Sequence, residues 1–365
     1  NLPSQWLSNL FSAGGTWLSG LFSAWNAPGW LSGILLDGVY RTLTWVVAVM
    51  LPPMAIFFPL FTLLEDLGYL PRVAFIMDPL CRHAGAHGKQ ALTTCMGFGC
   101  NACGVIGCRI IDSPRERLIG ILTNSFIPCN GRFPFLLTLI TVFFAGENSF
   151  AAALLLTACI LFAVSISLLA SKFLSVTLLK GVPSSFSLEL PPYRVPQVGQ
   201  VLVRSVLDRT LFVLGRAVLS AAPAGVLIWL MANVPVGDGT LLSLCTLALD
   251  PIAAVFGLDG VILMAFLLGF PANEIVLPLM LMGYLSTGTM VEAGDLTVLS
   301  QVLTDNGWTW VTAACCIVFS VCHFPCATTC RTIYKETGSL KKTLFAMAFP
   351  TAVGLLLCFL LARLG

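Results

Sequence analysis

Six apolar runs, each long enough to cross a bilayer, set the terms on which this chain can fold. A membrane-spanning helix needs about 20 predominantly apolar residues, and such runs lie at roughly 41–63, 118–144, 151–171, 206–231, 308–330 and 343–362. Two further apolar stretches, about 91–108 and 260–286, are interrupted by glycine and proline and read as discontinuous, membrane-dipping segments. Only 10% of the residues are charged against 57% hydrophobic, too few charges to cover a soluble surface. The chain therefore reads as an all-α polytopic membrane protein with lipid as its main solvent. A net charge of +2 gives nucleic acid no electrostatic footing. The fourteen cysteines sit mostly inside apolar runs, unlike a secreted disulfide framework.

Lysine and arginine in short loops mark the cytoplasmic side. They cluster at 109–117, 172–209 and 331–342, while the loops at 145–149, 232–259 and 287–307 carry acids such as Glu147, Asp238, Asp259, Glu292 and Asp305 and no basic residue. Residues 1–36 hold four tryptophans and no charge, and Trp6–Ala13 is echoed by Trp17–Ala24. Eleven residues are close to three helical turns, so this segment reads as an interfacial amphipathic helix on the outer side. The start at Asn1 rather than Met suggests a further segment upstream.

The chain also repeats itself. Asp78-Pro79 returns as Asp250-Pro251 and Gly97-Phe98-Gly99-Cys100-Asn101 as Gly269-Phe270-Pro271-Ala272-Asn273; from 78 to 250 and from 97 to 269 the offset is 172. Phe126-Ile127-Pro128-Cys129 is matched by Phe324-Pro325-Cys326. The first copy runs into an arginine-rich loop and the second into an acidic one, so the halves are expected to have inverted topology, an architecture of secondary transporters with a site near the midplane. The domains are then an interfacial segment at 1–36, a first repeat at 37–171, a cytoplasmic linker at 172–205, a second repeat at 206–330, and a loop with a final span at 331–365.

Chemistry concentrates at the repeat breaks. Glu274 is the only charge between Val261 and Gly283, and a carboxylate at that depth is costly unless paired or coordinating. Cys100 and Cys103 have chelating spacing, though cysteine also packs as a small hydrophobe. Cys129 and Cys326 each follow a proline, which frees the carbonyl four residues earlier, those of Asn124 and Val321. A thiol beside a free carbonyl would make an ion-coordinating step. Asn130 adjoins Cys129. Cys322, Cys326 and Cys330 at four-residue spacing share one face of a continuous helix, with packing the preferred role for Cys322 and Cys330. Glu65 and Asp66 end the first span, as a solvated helix end or as a cytoplasmic mouth. His83 and His87 read as surface residues, and His323 is open. No phosphate-binding loop, nucleophile elbow or zinc-protease motif occurs.

These residues resemble the ferrous iron transport protein B (FeoB) family. The likeness is carried by Asp37-Gly38-Val39, Leu63–Tyr69, Ala74–Asp78, Gly97–Asn101, Ser113–Leu118, Ile127-Pro128-Cys129, Ala272-Asn273-Glu274 and Pro325-Cys326, in order over most of the chain. It implies Fe²⁺ as transported substrate across a bacterial inner membrane by a multi-pass protein, with two "Gate" repeats and no bound organic cofactor. It also implies a cytoplasmic GTP-binding G domain outside this sequence, a small FeoA-like accessory protein and a homo-oligomer as partners. Cys100, Cys129 and Cys326 match cysteines suspected of handling the metal, and Glu65 an acidic family position. Two departures stand out. Many members carry Val-Pro-Ala where this chain has Ala102-Cys103-Gly104, and many carry Lys where Asn273 stands.

The expected metal set is Cys100, Asn101, Cys103, Cys129, Asn273, Glu274 and Cys326, with Glu65, Asp66, Asn130, Cys322 and Cys330 along the gate or pathway. Sulfur with carboxylate and amide oxygen suits a borderline divalent ion. Rival readings are a permease for a nucleoside-like polar solute, and a thiol oxidoreductase using Cys100 and Cys103.

Overall fold

A computed structural model describes residues 2–146, 148–181, 199, 203, 210–237, 239–291 and 296–364. Glu147, Asp238, Glu292, Arg194, Arg204 and Arg209, and most of the linker expected at 172–205, lie outside the described residues. Helix α1 (Leu2–Ala24) rests on α2 (Gly29–Asp66) through Tyr40, whose hydroxyl donates to Phe11 O at 2.8 Å. Helix α2 begins at Gly29 rather than near 41, so the boundary drawn at 36/37 falls within it. Its Gly38 meets Gly225 of α9 (Phe212–Asn233) backbone to backbone: a Cβ on Gly38 would stand 2.9 Å from the Gly225 carbonyl oxygen. Small residues permit such close crossings in membranes.

Helices α3 (Tyr69–His83), α4 (Gln90–Gly99) and α5 (Asn101–Gly107) form the first broken segment. Helices α10 (Leu241–Val255), α11 (Gly260–Leu268) and α12 (Asn273–Leu285) form the second. The 172-residue offset is kept in the local geometry of both. Asp78 Oδ1 accepts from Gly88 N at 2.9 Å, and Asp250 Oδ1 from Gly260 N at 3.0 Å. Gly85 and Gly257 turn the chain at φ +69° and +68°, where a side chain would be strained. The breaks themselves have matching backbones, φ −155° and ψ 123° at Cys100 against φ −153° and ψ 121° at Ala272. Helices α10 and α11 are bent by 110°.

Two expected spans are interrupted. The 118–144 run divides into α6 (Pro114–Thr123) and α7 (Phe133–Ala145), separated by a 3₁₀ turn and a break at Pro128. The 308–330 run becomes α14 (Trp310–Cys322) and α15 (Ala327–Thr337), open across His323–Cys326 around Pro325. Proline lacks the amide hydrogen that a continuous helix requires there. Helix α8 (Ser149–Val176) is a continuous span started by Asn148, whose side chain accepts from Phe150 N and Ala151 N. Between α12 and α14 lies α13 (Leu296–Asp305). The closing helix α16 (Leu340–Leu364) packs on α14, where Cys358 Sγ donates to Cys315 O at 3.2 Å.

Among the described residues five helical spans are long and apolar enough to cross a membrane, with α14 and α15 counted together as one, and six if the bent α10–α11 pair is also one span. The chain is an all-α, multi-pass membrane protein. Leu154, Leu161, Leu169 and Phe173 of α8 are exposed, the surface that lipid covers.

Candidate functional site: a cavity between the breaks

The extended backbone at Cys100 and Ala272 ends one half-helix and starts the next, so polar groups at both breaks point away from helical pairing. They meet the Pro128 and Pro325 breaks around one small cavity. Cys100, Asn101, Cys129, Asn130, Asn273, Glu274 and Cys326 line it, together with Gly99, Gly131, Met50, Val213, Ala217, Pro271, Ala272 and Thr328. Its volume is about 30 Å³, room for about one water molecule.

The contacts explain how the cavity is held. Asn124 Nδ2 donates to Asn101 O at 2.9 Å. Asn124 itself sits tightly between Gly97 and Gly104, whose Cβ positions would lie 2.7 and 2.5 Å from its Oδ1. The Asn101 side chain is 2% exposed, and neither amide atom has a hydrogen-bond partner. Buried polar groups are otherwise nearly always paired, so this amide is available to a guest. Trp45 of α2 donates its indole hydrogen to Glu274 O at 3.1 Å, tying the long helix to the second break. Gly131 has no side chain because the Glu274 carboxylate occupies that space. Across the halves, Asn273 Nδ2 lies 3.8 Å from Cys129 Sγ. His323, 1% exposed, places Nδ1 2.9 Å from Ser320 O and Nε2 3.4 Å from Asn273 Oδ1.

Six of the seven residues expected to form the metal set therefore line one cavity. Cys103 does not. It lies on α5 against a separate, largely apolar cavity of about 570 Å³, which Glu65 and Lys89 also line. Cys100 is extended while Cys103 is helical, and the two thiols meet each other at the wall between the cavities, with only Cys100 lining the smaller one. Among the described residues no three His, Cys, Asp or Glu side chains converge closely enough to hold a metal ion. Thiol, carboxylate and amide groups are a chemistry suited to a borderline cation, and coordinating one here would require them to draw closer together.

Other expectations are corrected by the geometry. The Val321 carbonyl freed by Pro325 accepts from Arg132 Nη1 at 3.0 Å, and the Asn124 carbonyl accepts from Ile127 N at 3.1 Å. Neither is left for an ion. The break at His323–Cys326 removes Cys322, Cys326 and Cys330 from a common helical face. Cys322 is fully buried, its Cβ 2.9 Å from where a Cβ on Gly354 would stand. Cys330 Sγ donates to Pro325 O at 3.4 Å. Asp66 is exposed at the end of α2. His83 is exposed as expected, but His87 is 5% exposed, and its Nδ1 accepts from Lys89 N at 3.0 Å.

Sequence reading missed Arg132. It is 1% exposed, and its one visible signal is a lone basic residue inside the apolar run at 118–144. It also missed Trp45 and Met50, which resemble any lipid-facing residue until α2 is seen against the second break.

Comparison with known proteins gives the site a context. A family model described as "Nucleoside recognition", the Gate model, matches residues 47–144 and 214–340. A second, described as "Ferrous iron transport protein B C terminus", matches residues 156–208. The Fe(2+) transporter FeoB of Staphylococcus aureus (strain COL) is 29% identical over 346 residues, covering 92% of this chain and 49% of the relative. The FeoB of Campylobacter jejuni is 28% identical over 344 residues, 90% of this chain and 55% of the relative. An Fe(2+) transport protein A/FeoB fusion protein of Porphyromonas gingivalis is 24% identical, covering 100% and 47%. The chain thus spans about half the length of the curated relatives it matches. No solved structure matches it.

Proposed function

Because the chain belongs to the Gate family and to the membrane region of the ferrous iron transport protein B family, we propose that it passes Fe²⁺ across a bacterial inner membrane through the cavity between its two breaks. The observation that carries this reading is the shared lining of one cavity by Cys100, Asn101 and Cys129 of the first half and Asn273, Glu274 and Cys326 of the second. The cation arrives hydrated and must exchange water for protein donors. Sulfur suits the borderline character of Fe²⁺, the Asn101 amide is already unpaired, and the Glu274 carboxylate offsets the ion's charge in a low-dielectric setting. Shifts of Cys129 and Cys326 toward Glu274 complete the shell.

The common geometry at Cys100 and Ala272 supports a pair of inverted repeats, with alternate exposure of the cavity as the halves rock. A nucleotide-hydrolysing G domain outside this sequence drives the cycle, and an FeoA-like protein is a candidate partner because one relative carries both names in one fusion. The Gate description keeps a nucleoside-like solute as the second reading. A cavity of about 30 Å³ favours an ion, since pockets for organic ligands usually hold about 300 Å³ or more.

Anaerobic Fe²⁺ binding to the purified native protein tests the reading. Saturable binding weakened in both Cys129→Ser and Glu274→Gln supports a site shared between the halves. Loss in Cys129→Ser alone confines the site to the first half. Absence of binding in the wild type moves the organic-solute reading to the front.

A further inference from the structure

Arg132 heads the fully buried side chains by size, and among the described residues no ion pair joins it. A cation enclosed at this depth without a carboxylate is strongly unfavourable unless other charge-assisted bonds replace its water. The partners here are backbone carbonyls from both halves. Nη1 donates to Ser125 O at 3.2 Å and to Val321 O at 3.0 Å. Nη2 donates to His323 O at 3.4 Å and to Phe324 O at 3.3 Å. Nε is unpaired.

The same residue closes the turn that carries Cys129, because Arg132 N donates to Cys129 O at 2.8 Å. One guanidinium therefore joins the Cys129 turn to the His323–Cys326 opening, including the Val321 carbonyl that Pro325 leaves without its helical donor. Planar guanidinium donors can serve several carbonyls at fixed angles, which an ammonium cannot.

We propose that Arg132 is a positioning residue that latches the first break to the second and keeps the route through the central cavity closed, its own charge standing among carbonyls that would otherwise face a passing cation. The proposal rests on the cation-transport reading above. Opening the route requires the guanidinium to leave at least the three carbonyls of the second half. Arg132 acts through the backbone it holds and does not touch the cargo.

The test compares wild type, Arg132→Gln and Arg132→Lys as purified native protein in liposomes. Each is given an inward Fe²⁺ gradient without nucleotide, with an entrapped metal-quenched dye as reporter and an entrapped neutral sugar as control. Loss of several charge-assisted bonds should raise passive Fe²⁺ entry about tenfold in Arg132→Gln and about threefold in Arg132→Lys, with sugar retention unchanged. Entry within about twofold of wild type in both variants overturns the latch, on the same scale of bond energies. Escape of sugar in step with Fe²⁺ entry also overturns it, because that is general loosening rather than release of a cation barrier. If Arg132→Gln does not fold, Arg132→Lys decides alone on the same criterion. Radioactive iron uptake by cells carrying the wild type separates the two claims. Uptake with tight variants sinks only the latch, whereas no uptake by the wild type sinks the transport reading on which it stands.

Discussion

The two breaks share a backbone and differ in chemistry. At Cys100 and Ala272 the φ and ψ angles agree within a few degrees, yet one position offers a thiol and the other a methyl group. The next residue is asparagine in both, Asn101 and Asn273, but only Asn273 is followed by a carboxylate. Matching backbone therefore fixes where side chains stand without fixing which groups they carry. The first half brings a thiol to its break and the second a carboxylate, while each carries a further thiol beside its proline opening, Cys129 and Cys326. The comparison implies that backbone changes at matched positions should have matched effects, while side-chain changes should not.

The largest expected effect breaks the charge asymmetry. Glu274→Gln should weaken anaerobic Fe²⁺ binding about 100-fold, at the upper end of what altered metal surroundings cost, measured by equilibrium dialysis. Moving the sulfur between halves sharpens the comparison. Cys100→Ala should weaken binding about tenfold, and adding Ala272→Cys should restore part of it because the two positions share one conformation. Full indifference to the second change would mean that the breaks are not functionally equivalent. Cys103→Ser, outside the cavity but against the Cys100 thiol, should weaken binding less than Cys100→Ala does.

Matched backbone tests come next. Gly85→Ala and Gly257→Ala should each lower stability by about 1–2 kcal/mol, because both glycines hold left-handed φ, readable as thermal midpoints in detergent. Asp250→Asn should cost about 1 kcal/mol, the scale of one hydrogen bond lost or weakened, and Asp78→Asn somewhat more, because it also loses the ion pair with Arg82 at 2.7 Å. The smallest effect belongs to the half-exposed pair of Arg109 with Glu336, at 2.8 and 2.7 Å, in which the arginine faces solvent. Glu336→Gln should change stability by less than about 1 kcal/mol, and by less again at high salt.

Much of this arrangement is legible in the sequence, because composition, apolar run length and the 172-residue offset are properties of the chain itself. The offset led to Asn101 and Asn273, and the structure adds the turns at Gly85 and Gly257 at the same spacing. What stayed hidden depends on direction or on distant partners. Cys100 and Cys103 read from their spacing as one chelating pair, and their thiols do meet, but only Cys100 reaches the cavity lined by both halves. Arg132 looks like an oddity in an apolar run because three of its carbonyl partners lie in the other half of the chain. The prolines pointed correctly to freed carbonyls, yet nothing local to Val321 shows that a guanidinium takes one of them.

Helix α2 crosses α9 at Gly38 and Gly225, and farther along it touches the Glu274 backbone through Trp45. At about 1.5 Å rise per residue, Trp45 lies about 10 Å beyond the crossing and Asp66 about 42 Å beyond it. Pro52, Pro53 and Pro59 lie between Trp45 and the Asp66 end, so the helix has bending points on the long stretch and none between the glycine contact and Trp45. A small rotation at the glycine contact would therefore reach the backbone of Glu274 directly, whereas movement at the Asp66 end would be taken up at the prolines.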